Sequence, residues 1–247
     1  MNKLNLTLSI ALLLIPLAAK TNPMVELFTS QGCYSCPPAD EFLGELIEQH
    51  PEVVALEFHV DYWDDLVYGS AGVWKDPFSN PAYTVRQRRY NAISLAGRRG
   101  VYTPQMIVNG NTAQVGTSKR AVLQALQERT PEVNISASVK DNILAVDVTD
   151  EHTNGSTLWL AIFDRVHTTD VPTGENHGKT MVNYNVVREL VSLGQWQGDK
   201  FSHSFRLPES AGFSGSSDVD AANRSCAVFL QDEALGQVRG AAYCEAI

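Results

Sequence analysis

The residues with the clearest chemistry are two cysteines, Cys33 and Cys36, which are separated by two residues. A thiolate can attack a disulfide sulfur and form a mixed disulfide, so such a pair can make and break a disulfide reversibly. A purely structural bond would gain little here, because closing so short a loop removes little chain entropy. We expect Cys33 to exchange with a partner and Cys36 to resolve the mixed disulfide, with metal binding as the alternative use of the pair.

The segments around the pair predict a strand, a helix and a second strand. Residues 24–29 and 53–60 are β-like, and apolar residues recur at helical spacing over 39–49. Parallel strands need a right-handed crossover, which the helix supplies, and this places Cys33 at the helix N-terminus. Unpaired N–H groups and the helix dipole favour a thiolate there.

The next segments complete the order of elements found in the thioredoxin fold. A helical stretch over 81–95 is followed by Thr103-Pro104, a hairpin with an Asn-Gly turn, and a helix that opens at Ser118. In that fold a cis-proline lies beside the cysteines and presents a backbone edge to the substrate. We assign this position to Pro104, and we expect Tyr34, Ser35 and Thr103 to line the substrate surface.

After Pro131 the sequence becomes a series of short β-like runs separated by turn residues, which favours a β-sandwich. The predicted fold class is therefore an α/β thioredoxin-like domain over 24–130, followed by a smaller all-β sandwich-like domain over 131–247. Cys226 and Cys244 are expected to form a structural disulfide between the last two strands. We expect Gly174–Thr180 to be an ordered loop without chemistry.

Several motifs together resemble the secreted thioredoxin-like family catalogued as domain of unknown function 1223. The motifs lie at residues 25–40, 59–64, 74–78, 102–106, 174–176 and 185–188. The resemblance spans nearly the whole mature chain and implies a fold and a cysteine pair, but no established substrate or reaction. Tyr34-Ser35 stands where ordinary thioredoxins have Gly-Pro between the cysteines.

Three further polar residues are candidates for the site. Glu26 lies on the strand that leads to the cysteines and is a candidate proton acceptor for Cys36, as an acidic residue on the comparable strand is in thioredoxins. An interface carboxylate is the alternative. His59 and Asp61 follow a parallel strand, and ligands often bind outside the carboxyl ends of such strands. Alternatively, the two form a hydrogen-bonded pair that fixes the following loop.

Two other functions use the same sequence features. Cys33, Cys36 and His59 could hold Cu(I), because soft sulfur ligands select that ion, so the alternative is a copper-binding protein or copper-site thiol chaperone. A structural zinc site would want a second CxxC. The third possibility is a non-enzymatic binding protein with a vestigial CxxC. Thiol-disulfide exchange itself requires no cofactor, and none is predicted.

Composition and the N-terminus set the expected location and partners. The net charge is −9 and the basic residues are scattered, so nucleic acid is not an expected partner. The apolar run 4–17 and the small pair Ala18-Ala19 predict a signal peptide over 1–19, and this run is shorter than the about 20 residues of a membrane-spanning helix. We expect a periplasmic or secreted protein that reduces or isomerises the thiols and disulfides of other exported proteins, with no membrane span.

Overall fold

The computed structural model describes residues 21–95, 100–128, 131–151, 155–207, 222–233 and 235–246. The predicted signal peptide lies outside these residues. Three α-helices lie in the described part: α1 (Pro37–Gln49), α2 (Pro81–Arg89) and α3 (Lys119–Glu128). Its eleven strands are β1 (Met24–Thr29), β2 (Val54–His59), β3 (Gln105–Val108), β4 (Thr112–Val115), β5 (Ile135–Lys140), β6 (Ile143–Val148), β7 (Ser156–Val171), β8 (Lys179–Trp196), β9 (Phe201–Arg206), β10 (Arg224–Asp232) and β11 (Val238–Ala246).

The first unit is the predicted β1-α1-β2 crossover. The two strands are parallel and in register, with Thr29 opposite His59. Both are buried along their whole length, which is typical of parallel strands covered on both faces. The helix begins after Cys36, and Pro37 is tolerated in its first turn because its missing N–H would have had no intrahelical partner. Phe42 and other apolar residues of α1 are buried against the sheet.

The predicted hairpin extends this part of the sheet. Strand β3 pairs antiparallel with β1, and β4 pairs antiparallel with β3. Asn109 and Gly110 connect them with φ angles of 48° and 73°, a region that asparagine and glycine tolerate better than other residues do. Asn80 is the N-cap residue of α2, and its side chain accepts a hydrogen bond from the backbone N–H of Ala82.

The expected fold class is wrong. The described strands form a single mixed sheet of eleven strands in the order β4-β3-β1-β2-β8-β7-β10-β11-β5-β6-β9, with only three α-helices. The protein is therefore mostly β and is not a helix-rich α/β thioredoxin fold followed by a separate sandwich. The two halves join where β2 pairs in parallel with β8, at Glu57 and Val186. The domain boundary at Pro131 stays a prediction.

The long hairpin of β7 and β8 explains the difference. Its strands contain 16 and 18 residues, longer than the short β-like runs expected after Pro131. The additional residues are partly polar and alternate in exposure, so they resemble loop sequence. These residues of β7 pair with those of β8 and lengthen the hairpin, so that its turn reaches the N-terminal part of the sheet.

The hydrophobic core also spans both halves of the chain. One cluster of buried side chains contains aromatic residues from both halves of the chain. Four lie on strands β1, β2, β7 and β10, and two lie in or directly after α2: Phe28, Phe58, Phe163, Phe229, Tyr83 and Tyr90. Arg86 of α2 lies in the same region and is buried. In the described part of the chain, no helix is long and apolar enough to cross a membrane.

Cys226 of β10 and Cys244 of β11 form a disulfide between adjacent antiparallel strands, the pairing expected from the sequence. Their loop is longer than that of the first pair, with a sequence separation of 18 against 3. We predict that replacing both residues with alanine lowers the free energy of unfolding by about 3 kcal/mol, because the unfolded chain regains loop entropy.

Urea denaturation under non-reducing conditions measures this effect. The matched control is the Cys33→Ala/Cys36→Ala variant, whose short loop gives a smaller loss. An unchanged denaturation midpoint in the Cys226→Ala/Cys244→Ala variant would contradict the prediction.

Candidate functional site

Cys33 and Cys36 form a disulfide with a Cα–Cα distance of 5.4 Å. Cys36 is the N-cap residue of α1, and its backbone N–H donates to the carbonyl oxygen of Cys33. Both cysteines are 0% exposed, whereas Tyr34 between them is 62% exposed. The hydroxyl of Ser35 lies 3.4 Å from Cys33 Sγ. The covered disulfide thus sits directly beneath an exposed dipeptide.

The turn between β7 and β8, residues 172–178, holds the cysteine loop in place. Asn176 donates from Nδ2 to the carbonyl oxygens of Gln31 and Cys33, at 2.8 and 2.9 Å. The carboxylate of Glu175 accepts a hydrogen bond from the backbone N–H of Tyr34 at 2.7 Å. Lys179 donates to Asn176 Oδ1, and its ammonium group lies 4.3 Å from the centre of the Tyr34 ring. The sequence predicted an ordered loop without chemistry here and gave no indication of these contacts with the cysteine loop.

His59 lies at the centre of a buried charged cluster beneath the cysteine loop. Its Nδ1 is 2.7 Å from Asp76 Oδ2, and its Nε2 is 3.1 Å from Glu57 Oε1. Burial alone would lower the pKa of His59. The negative charge of Asp76 and the hydrogen bonds to Asp76 and Glu57 outweigh burial and raise this pKa to about 10. The His59 charge in turn lowers the pKa of Asp76 against the effect of burial.

Gln31 connects this cluster to the cysteine loop. Its backbone N–H donates to Asp76 Oδ2 at 2.7 Å, and its side-chain amide donates to Asn183 Oδ1 of β8 at 2.8 Å. Asn183 donates in turn to Glu57 Oε1 at 2.7 Å. The segment before Cys33 is therefore fixed by β2, β8 and the loop that carries Asp76.

Glu26 is not part of this cluster. Its carboxylate accepts hydrogen bonds from Arg86 Nε, at 2.6 Å, and from the hydroxyl of Tyr90. Side chains alternate along a strand, and Val25 and Leu27 pack with α1, so Glu26 lies on the opposite face of the sheet from α1. The structure does not bring it to the cysteines, and its assigned proton-acceptor role stays a prediction.

Asp61 also lies outside the His59 cluster. It accepts a hydrogen bond from the hydroxyl of Thr84 in α2 at 2.5 Å, and it does not pair with His59, whose two ring nitrogens are bonded to Asp76 and Glu57. It therefore connects the end of β2 to α2.

The segment before β3 approaches the start of α1. The Thr103–Pro104 peptide bond is cis. A Cβ atom placed on Gly116 would lie 2.9 Å from Ala39 Cβ and 3.0 Å from Pro104 Cβ, so Pro104 is close to the first turn of α1. Thr103 accepts a hydrogen bond from the indole N–H of Trp63 at 2.9 Å.

The sequence analysis missed Asp40, which is buried in α1 one turn after Cys36. Its Oδ1 accepts a hydrogen bond from Thr29 at 2.6 Å, and Oδ2 is buried without a hydrogen-bond partner among the described residues. Burial, followed by the negative charge of Glu57, raises the pKa of Asp40 well above its usual value. The sequence signal was an acidic residue four positions after Cys36 and three before the apolar Leu43, which places it beside both on the helix surface.

The structure gives the copper alternative no additional support. Both ring nitrogens of His59 are already bonded to carboxylates, so coordination through His59 would require the loss of one of these bonds. No group of three or more His, Cys, Asp or Glu side chains within the described ranges is placed to hold a metal ion. Copper binding stays a prediction.

The comparison with known families agrees with the resemblance seen in the motifs. The family described as a protein of unknown function (DUF1223) matches residues 24–231. The chain belongs to the DUF1223 family. Among curated proteins, none matches this DUF1223 chain at a significant level.

Two solved structures are similar to the DUF1223 chain. The X-ray structure of protein AGR_C_4864 from Agrobacterium tumefaciens has 30% sequence identity and a TM-score of 0.74, covering 92% of this chain and 95% of that one. HBP35 of Porphyromonas gingivalis has 15% identity and a TM-score of 0.57, covering 91% of this chain and 74% of that one, which shows likeness of fold alone. The first match spans both halves of the mixed sheet, which the expected fold class had separated.

His59 should make stability depend on pH in the alkaline range. Its pKa is about 10 in the folded protein against 6.5 when unperturbed, so its contribution is fully present below pH 6.5 and is lost as the pH rises through 10. We predict that the free energy of unfolding falls in this window, with a slope from His59 that approaches about 1.4 kcal/mol per pH unit.

Urea titrations of wild type and His59→Gln between pH 6 and 10 measure this slope as the difference between the two proteins. The exposed His177, changed to Gln, is the control and should keep the wild-type slope. Equal slopes in wild type and His59→Gln would show that His59 is not charged in the folded protein.

Asn176 should protect the Cys33–Cys36 disulfide. Asn176→Ala removes the donor to two backbone carbonyls, so we predict a loss of about 1–3 kcal/mol in the free energy of unfolding. We also predict faster reduction by dithiothreitol, because Cys33 becomes less covered. Alkylation of the new thiols, followed by mass spectrometry, measures the rate. His177→Ala is the matched control, and a rate for Asn176→Ala no faster than this control would refute the protective role.

Proposed function

We propose that this protein carries out thiol-disulfide exchange with other exported proteins, reducing or isomerising their disulfides. Cys33 exchanges with the partner and Cys36 resolves the mixed disulfide. The observation that carries the proposal is the position of the disulfide, with Cys36 at the N-cap of α1 and Cys33 three residues before it. A helix N-terminus favours a thiolate, which is the reactive form in exchange.

The groups that would stabilise a Cys33 thiolate differ from those of an ordinary helix start. Pro37 and Pro38 have no backbone N–H, and the N–H of Tyr34 is bonded to Glu175. Stabilisation would come from the helix dipole and from the hydroxyl of Ser35, which is close to Cys33 Sγ. Ser35 therefore has a role in the proposed chemistry beyond lining the surface.

Exposed apolar side chains near the disulfide support a protein partner. Tyr34 is exposed between the cysteines, and Leu66, Val67 and Val73 are exposed in the loop between β2 and α2. This loop is joined to the β7–β8 turn, since Thr173 donates a hydrogen bond to the carbonyl oxygen of Val73 at 2.6 Å. A partner with apolar side chains could cover this surface while one of its sulfurs reacts with Cys33.

An exported location is part of the proposal. Disulfides persist in the periplasm and outside the cell, where an exchange protein would also meet its substrates. The predicted signal peptide over 1–19 supports this location, and so do the two disulfides.

Scrambled ribonuclease A provides a direct test of exchange. We predict that the reduced wild-type protein restores ribonuclease activity and that Cys33→Ser does not. Cys36→Ser should accumulate a mixed disulfide with the substrate, visible on a non-reducing gel, because the resolving thiol is absent.

The Cys226→Ser/Cys244→Ser variant is the control for disulfide loss alone and should retain exchange if it folds. If the reduced wild type neither restores activity nor yields a mixed disulfide in its Cys36→Ser form, the proposed function is wrong.

A further inference from the structure

Asp40 and Cys36 occupy the same buried face at the start of α1. The backbone N–H of Asp40 donates to the carbonyl oxygen of Cys36 at 3.1 Å, so the two residues are related by one regular helical turn. Residues at this spacing have Cβ atoms about 5–6 Å apart, and side chains in a helix lean toward its N-terminus. The carboxyl group of Asp40 therefore leans toward Cys36, and the two residues are 1% and 0% exposed.

The hydrogen bonds of Asp40 leave one oxygen unused. Oδ1 accepts the hydroxyl of Thr29, while Oδ2 is fully buried and has no partner among the described residues. Buried polar atoms in proteins are nearly always hydrogen-bonded, so an exception of this kind needs an explanation. A partner that changes with the redox state would explain it, since the Cys36 sulfur in the disulfide carries no proton and no negative charge.

Burial and the surrounding charges favour the neutral form of Asp40. Glu57 and Asp76 share the single positive charge of His59, so ionisation of Asp40 would add a third negative charge to a buried cluster. Burial and the charge of Glu57 raise the pKa of Asp40, and the charge of His59 and the Thr29 hydrogen bond only partly oppose them. With Oδ1 occupied as an acceptor, Oδ2 is the oxygen available to carry a proton.

A cavity of about 260 Å³ lies beside this carboxyl group. The lining residues include Pro37, Asp40 and Tyr184, together with Glu41 of α1 and Lys179 of β8 as further charged groups. The cavity provides a route by which the proton of Asp40 can exchange with solvent.

We propose that Asp40 is the proton donor and acceptor for Cys36 Sγ during exchange, an inference that rests on the proposed function. In reduction of the protein, a partner thiolate attacks Cys33 Sγ, the Cys33–Cys36 bond breaks, and Cys36 leaves as a thiolate that takes the proton from Asp40. In the reverse step, the Asp40 carboxylate takes the proton from the Cys36 thiol. The Cys36 thiolate then attacks Cys33 Sγ and releases the partner as a thiolate.

Reaction of the reduced protein with one equivalent of 5,5′-dithiobis(2-nitrobenzoic acid) separates the two sulfur steps. The first release of thionitrobenzoate reports attack by Cys33, and the second reports attack by Cys36 on the mixed disulfide. For Asp40→Asn we expect an unchanged first phase and a second phase slowed by about 10²-fold at pH 7. The slowing should diminish above about pH 8.5, where thiols ionise without a base. Glu48→Gln, an exposed acid of the same helix, is the control.

The outcomes distinguish this inference from the proposed function. If wild type shows both phases and Asp40→Asn keeps the wild-type second phase and pH profile, the proton-transfer role is wrong while exchange stands. If both phases slow equally at all pH values, Asp40 is only structural and the inference is likewise wrong. If wild-type Cys33 does not react, the proposed function fails and the inference fails with it.

Thr29→Val provides a second variant should Asp40→Asn not fold. It has nearly the same shape and removes the hydrogen bond that favours ionised Asp40. The pKa of Asp40 should therefore rise, and the pH midpoint of the second phase should shift upward. An unshifted midpoint would overturn the inference.

Discussion

The buried charge of His59 constrains the whole site. An ion removed from water is costly unless counter-ions and hydrogen bonds surround it, and here Asp76 and Glu57 bond to its two ring nitrogens. These partners come from a loop and from β2, and Asn183 of β8 bonds to the same Glu57. The charge is compensated only when all these segments are in place. Since Gln31 also bonds to Asp76, the same requirement positions the segment before Cys33.

The cluster also affects the protonation of a neighbouring buried acid, Asp40. Burial is the main cause of the raised pKa of Asp40, and the net negative charge of two carboxylates against one imidazolium adds to it. Burial of the cluster therefore underlies both the fixed ion pairs and the raised pKa of Asp40. A surface cluster of the same residues would be screened by water and would hold neither the geometry nor the proton so firmly.

Patterns of neighbouring residues predicted those parts of the site whose contacts lie close together in the sequence. The CxxC pair at the start of α1, the parallel β1-α1-β2 crossover and the Asn-Gly hairpin follow from short-range patterns. The pairing of β2 with β8 has no such signal, because Glu57 and Val186 are distant in the chain. The family motifs included residues 174–176, but they did not indicate that Asn176 contacts Cys33. Glu26 was chosen by analogy with a comparable strand, although the alternation of side chains places it on the other face.

The β7–β8 hairpin makes the C-terminal half part of the site. Its turn contributes Asn176 and Glu175, whose hydrogen bonds hold the backbone on both sides of Cys33. Because the Cys33 sulfur is buried in the oxidised protein, a partner thiolate cannot reach it along the line of the disulfide until neighbouring atoms move. Asn176 and Glu175 hold the backbone around Cys33, so in the proposed exchange access to its sulfur would depend on a turn far from the cysteines in sequence as well as on the reactivity of the thiolate.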